Sequence, residues 1–204
     1  MLLLLPPVGV AAAACFAGSV PATLSRRSLF STTVALWIAT APPSRAEEPA
    51  FQLGSSAFQA GAAIPQQYTC VGGDRSPPLA WSGAPAGTRS FTLIVDDPDA
   101  PDPAAPRQTW VHWVLYDVAA SATFIPENAG GAAPQPAARA GLNDWSKTTY
   151  GGPCPPIGRH RYFFKLYALD VDLGEIEQPT KAILEKAMQG HVLGRAELIG
   201  TFQK

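Results

Sequence analysis

The 204 residues carry 15 basic and 16 acidic side chains, and residues 1–46 hold three of the basic ones, Arg26, Arg27 and Arg45, and none of the acidic ones. The remaining 158 residues therefore carry 12 basic against 16 acidic groups, a formal net charge of about −4. A mildly acidic body of that length makes one compact domain and has no basic stripe to neutralise a phosphate backbone, which excludes nucleic acid as the expected partner.

The chain opens with two apolar stretches, 1–20 and 29–41, the second preceded by Ser25-Arg26-Arg27-Ser28-Leu29-Phe30 and followed by Ser44-Arg45-Ala46. This is the layout of a twin-arginine export signal with a small-residue cleavage site. The second apolar run covers about 12 residues where about 20 are needed to cross a bilayer, and Pro42 and Pro43 close it, so a transmembrane anchor is the poorer reading. Residues 1–46 are read as a targeting leader that is removed, and residues 47–204 as the domain. The extra apolar segment ahead of the arginines fits a composite leader, so the expected compartment is a plastid thylakoid lumen or a periplasm.

Residues 51–68 hold strand-length apolar runs broken by Gly61 and Pro65, read as an opening hairpin, and residues 70–78 are a Gly- and Pro-rich loop. Residues 79–81 form a short strand, and residues 90–95, β-branched and aromatic without helical spacing, form a central strand. Residues 96–106 contain four prolines, which forbid a helix interior and a sheet ladder, so their carboxylates are placed on a stiff loop and Asp96 and Asp102 are expected in solvent.

Residues 110–116 alternate, with Trp110, His112, Val114 and Tyr116 expected on one face and Val111, Trp113 and Leu115 on the other, both apolar enough to be covered. Residues 128–141 are read as one long irregular connection. Residues 160–169 form a further strand with His160 and Tyr162 on one face and Arg161 on the other. Residues 180–189 make the one convincing helix, with Thr180 as its capping hydroxyl, Gly190 as its stop, and Ile183/Ala187 and Leu184/Met188 spaced i,i+4. Residues 196–202 form a last strand. His191, directly after Gly190, has no partner in the nearby sequence and stays outside the candidate site. No apolar run in the domain is long enough to span a membrane.

Cys15 falls in the leader, leaving Cys70 and Cys154 in the domain. Two thiols in an exported protein invite one disulfide. Two separate buried thiols remain the alternative, because sequence does not bring their Cα atoms within bonding distance.

Polar groups concentrate in two places: Asp97-Pro98-Asp99-Ala100-Pro101 with His112 downstream, and Gly151-Gly152-Pro153-Cys154-Pro155-Pro156 with His160-Arg161-Tyr162. These stretches resemble the two signature segments of the phosphatidylethanolamine-binding protein family, a DPDAP run followed by a histidine and a Gly-Pro loop followed by HRY. The resemblance runs from about residue 51 to residue 202 and, through residues 76–81 and 190–193, is similar to the bacterial Raf-kinase-inhibitor-like branch.

It implies a mainly β fold, a Greek-key β-sandwich with a peripheral C-terminal helix, and a ligand site made of Asp97, Asp99, Pro101, His112, Gly152, Pro153, His160 and Tyr162. Imidazole N–H groups, a tyrosine hydroxyl and a loop amide beside Gly152 suit an oxyanion, and Asp97 suits orienting a histidine or holding an ammonium group. The implied function is non-catalytic: binding a phosphate-type or phosphatidylethanolamine head group, with a kinase or protease as the protein partner and no cofactor. The chain ends soon after Phe202, without the C-terminal helix that helps gate the pocket in animal members, which speaks against lipid-sized ligands.

Two other readings stand beside it. A metal-dependent or nucleophilic hydrolase could use His112, His160, Asp97 and Asp99, or Cys154, but the domain lacks H-x-x-x-H, H-E-x-x-H, C-x-x-C and G-x-S-x-G patterns. A partner-binding protein would expose an apolar patch around Leu142 and Trp145.

Overall fold

The β-branched and aromatic residues at 90–95 lie at the centre of the structure, a computed structural model describing residues 49–131 and 138–204. The expected leader of residues 1–46 lies outside the described residues. The strands are β1 (Gln52–Gly54), β2 (Leu79–Ser82), β3 (Ser90–Ala100), β4 (Gln108–Ala119), β5 (Phe124–Ile125), β6 (Arg139–Ala140), β7 (His160–Leu169) and β8 (Val192–Phe202), with one helix, α1 (Lys181–Ala187), before β8. They form a three-stranded sheet, β1-β2-β5, and a five-stranded sheet, β6-β4-β3-β7-β8. Every strand pairing is antiparallel. The fold is mainly β, two sheets and one short helix, as expected.

Alternation along the strands sorts their side chains into two layers. Phe91, Leu93 and Val95 of β3 join Phe164 and Leu166 of β7 and Leu53, Leu79, Trp81 and Ile125 of the small sheet in the main core. The opposite face of the large sheet buries Ile94 with Leu169 and Met188, and Val114 and Tyr116 with Leu184 of α1.

Several local expectations need correction. The opening hairpin is absent: β1 pairs with the later β2, and residues 66–68 form a single 3-10 turn. The intervening Phe58 and Ile64 pack into the core instead, and the Ile64 amide donates to the Thr201 carbonyl of β8 at 2.8 Å.

The carboxylates placed on a stiff loop sit on β3, which runs through to Ala100. Pro98 is tolerated because pairing with β7 stops at Asp96 and the register with β4 breaks between Asp97 and Ala100, so no ladder bond needs its missing N–H.

Asp96, expected in solvent, is fully buried on the helix side, 2.6 Å from both the Lys165 and Lys181 ammonium groups. It ties α1 to the sheet. Asp102 lies on the loop as expected, accepting a hydrogen bond from the Ala104 amide.

Strict alternation in β4 fails at His112. Val95 faces Trp113 and Asp96 faces Val111, leaving His112 as the extra residue of a β-bulge. Val111 consequently joins Val114 and Tyr116 on the helix side.

The helix is shorter than expected, and the Thr180 hydroxyl makes no capping hydrogen bond. Leu184 and Met188 point inward while Ile183 is exposed, so only one of the two expected pairs packs. Gly190 supplies the positive φ, +81°, of the stop. His191, expected to lack a partner, lies 2.8 Å from Asp170 at the surface. The final strand begins at Val192, four residues earlier than expected.

Candidate functional site

The far end of β3 and the starts of β4 and β7 meet at one end of the large sheet, with Asp97 opposite Trp110. There they enclose a cavity of about 240 Å³. Asp97, Ala100 and Pro101 line it from β3 and its exit, Gln108, Trp110 and His112 from β4, and His160 and Tyr162 from β7. Trp145 and the Cys154-Pro155-Pro156 stretch close the remaining side. The Ala100–Pro101 peptide is cis.

The bulge aims His112 at this cavity, a use to which bulges beside ligand sites are suited. Its Nδ1 lies 2.8 Å from the Gly151 carbonyl, and its ring meets Trp145 and Tyr162 edge-on, each at 5.2 Å between centroids. A carbonyl only accepts, so Nδ1 donates and the titratable lone pair is on Nε2. Burial holds His112 below the ordinary histidine range, against the opposing pull of the Gly151 carbonyl and of Asp97 and Asp144.

His160 is arranged differently. Its Nε2 donates to the Ile157 carbonyl at 2.9 Å and its Nδ1 lies 2.6 Å from Asp97 Oδ2. Asp97 Oδ1 accepts the Asp99 amide at 2.8 Å. Asp97 and His160 are therefore a buried pair that builds the cavity floor, and neither imidazole nitrogen of His160 is free for a ligand.

Tyr162 is the converse case. It is fully buried, lines the cavity, and its hydroxyl has no hydrogen-bond partner. Burial first, then Asp97, raises its pKa well above the ordinary tyrosine value, so it remains a donor. The indole N–H of Trp110, on another wall, is likewise buried without a partner.

The other expected ligand residues stand behind the wall. Asp99 is buried and engages Arg161, accepting from Nε at 2.9 Å and from Nη2 at 2.6 Å. That hydrogen bonding holds its carboxyl below the usual range. Gly152 and Pro153 do not line the cavity. The Gly152 amide, expected as an anion donor, is taken by Asp74 Oδ1 at 2.8 Å. A Cβ on Gly152 would stand 2.8 Å from the Tyr68 carbonyl oxygen, so only glycine lets residues 150–156 approach residues 66–74 this closely. The same two segments are joined by a Cys70–Cys154 disulfide, which resolves the alternative left by the sequence.

A second, more polar cavity of about 590 Å³ lies beyond Trp145 and Cys154, which line both. Trp145 and Trp110 are not among the ligand residues that the family resemblance implies. Trp110 carried a signal, standing two residues before His112 on one strand. Trp145 carried only its place in the suspected apolar patch, and it is 41% exposed, whereas Leu142 is half-buried.

Among the described residues, no three His, Cys, Asp or Glu side chains are grouped to hold a metal ion, and no helix is long and apolar enough to cross a membrane. The Cys154 sulfur is in the disulfide and so is no thiolate nucleophile.

Comparison with known proteins shows the family and the fold. The UPF0098 protein of Chlamydia pneumoniae is 45% identical over 153 residues, covering 75% of this chain and 99% of its own length. The UPF0098 protein of Methanothermobacter thermautotrophicus is 44% identical over 153 residues, covering 74% of this chain and 98% of its own. Among solved structures, a phosphatidylethanolamine-binding protein homolog from Chlamydia trachomatis superposes with a TM-score of 0.69 at 42% identity, covering 76% of this chain and 98% of that one. YbcL of E. coli, described as a member of the mammalian PEBP family, superposes with a TM-score of 0.67 at 30% identity, over 76% of this chain and 99% of that one. The family description "Phosphatidylethanolamine-binding protein" matches residues 54–203, and the chain belongs to the phosphatidylethanolamine-binding protein family.

Proposed function

We propose that the chain is a non-catalytic binding protein whose cavity takes a phosphate-type anion of head-group size. The observation that carries this is Tyr162, which lines the cavity and whose buried hydroxyl is without a partner, with Trp110 on a neighbouring wall carrying an indole N–H in the same state. A buried donor left unpaired costs about 1–3 kcal/mol, and an acceptor-rich ligand removes that cost. The cavity, about 240 Å³, falls below the usual range of roughly 300–1,000 Å³ for drug-sized ligands, so it suits a head group and not an acyl chain.

Phosphate and phosphoethanolamine are the ligands to titrate calorimetrically into the purified protein and its Tyr162→Phe variant. Saturable binding that weakens about tenfold in the variant supports the reading. The absence of saturable heat with both ligands rules it out. A kinase or protease partner and an exported location complete the proposal as biological context: an occupied pocket would signal to a partner docked on its rim.

A further inference from the structure

Three residues that line one cavity each carry a hydrogen-bonding atom without a partner, and these atoms are not all of one kind. Tyr162 and Trp110 present donors, but His112 presents an acceptor, because Nδ1 is committed to the Gly151 carbonyl at 2.8 Å. An acceptor lone pair repels a phosphate oxygen unless one proton lies between them.

The cavity lining supplies no cation to offset that repulsion. The cavity wall holds no lysine or arginine among the described residues. The Lys165 and Lys181 ammonium groups sit on Asp96, and the Arg161 guanidinium sits on Asp99. Lys147 lines the second cavity, beyond Trp145. The titratable groups around His112 are Asp97 and, on the far side of β3, Asp96, then His160 and Tyr162 from β7, and Asp144, whose carboxylate accepts the Val111 amide at 2.7 Å. Asp97 and His160 are already paired with each other.

We infer that the cavity takes its anion together with one proton, shared between His112 Nε2 and a ligand oxygen, so that a phosphomonoester in its monoanionic form is the preferred ligand class. This rests on the anion-binding reading above and narrows it. The P–OH of a monoester monoanion donates to Nε2 while its other oxygens accept from Tyr162 and Trp110. A phosphodiester has no such hydroxyl and binds only when solvent protonates the buried imidazole. A monoester dianion must take up one proton, because its second ionisation lies near pH 6.

The test is calorimetric titration of the full chain with phosphoethanolamine and, separately, glycerophosphoethanolamine. Each titration is run at about pH 8 in buffers of different ionisation enthalpy and repeated from about pH 7 to about pH 9. The expected result is uptake of one proton per phosphoethanolamine bound, affinity falling about tenfold per pH unit above pH 7, and weaker binding of the diester. In His112→Gln the proton uptake disappears.

Phosphoethanolamine binding without proton uptake at about pH 8, or a diester that binds as tightly as the monoester, overturns the inference while leaving the anion-binding reading intact. Uptake that persists in a folded His112→Gln moves the proton to another group and overturns the assignment to His112. If neither ligand binds, the anion reading itself has failed. The wild-type buffer series decides the stoichiometry even if the variant does not fold.

Discussion

Asp97 Oδ2 stands 2.6 Å from His160 Nδ1, with both side chains buried and the second nitrogen of His160 already donating to the Ile157 carbonyl. The pair is a structural unit at the cavity floor. Removing one partner leaves the other buried and unpaired, which costs about 3–5 kcal/mol. Asp97→Ala and His160→Ala are each expected to lose stability of that order in urea unfolding, and the double variant less than the sum of the two.

Tyr162→Phe is expected to behave in the opposite way. It removes a hydroxyl that has no partner in the protein, so unfolding free energy should stay within about 0.5 kcal/mol of the wild type or rise. Phosphoethanolamine affinity should nevertheless fall about tenfold by calorimetry. A variant that loses stability and keeps affinity would place the hydroxyl in the packing and not in the site.

The pH dependence follows from His112. Burial lowers its folded pKa, so below the unfolded value of about 6.5 the unfolded chain binds more protons at this position than the folded one. Stability therefore rises with pH through this region and levels off above about pH 6.5, with a slope of up to about 1.4 kcal/mol per pH unit from this group. Urea unfolding of ligand-free protein at about pH 5, 6 and 7 should show that slope, and His112→Gln should reduce it.

The disulfide joins positions 84 residues apart. Cross-linking a loop of that length stabilises a fold by about 2–5 kcal/mol, chiefly through the unfolded chain. Cys70→Ser with Cys154→Ser should lower the melting temperature accordingly, and reductant should change the wild type and leave the double variant unaffected. Because Cys154 also lines the cavity, ligand affinity should weaken along with stability.

Arg161 and Asp99 provide a milder comparison. The Asp99 carboxylate is buried, but the Arg161 side chain is 57% exposed, so water partly replaces the guanidinium when it is lost. Arg161→Ala is expected to cost about 1–3 kcal/mol. Asp99 has a depressed folded pKa, so its contribution is present above the unfolded value of about 3.9 and is lost as pH falls below it. In the variant that acid-range dependence should shrink.

Period-two patterning made His160 and Tyr162 legible as same-face neighbours, and both line the cavity. The same rule misassigned Val111 and His112, because a bulge inserts one residue without leaving any compositional mark. Asp96 was misread for a related reason. Composition shows a carboxylate beside prolines, whereas its burial depends on Lys165 and Lys181, which are 69 and 85 positions away. The Gly152 amide illustrates a third limit: a glycine-proline loop looks like an anion cradle until Asp74, from another loop, occupies the donor.

Asp96 and Asp97 are adjacent in sequence but differ in partner. One faces two lysines on the helix side and the other faces a histidine in the cavity. A slip of β3 by a single residue would move each carboxylate to the opposite face: in one direction Asp97 reaches the lysines, Asp96 enters the apolar layer and His160 loses its carboxylate, and in the other Lys165 and Lys181 lose theirs. Since β3 is the strand against which both β4 and β7 align, this doublet proofreads the assembly of the sheet: a misaligned chain loses an electrostatic partner whichever way it slips.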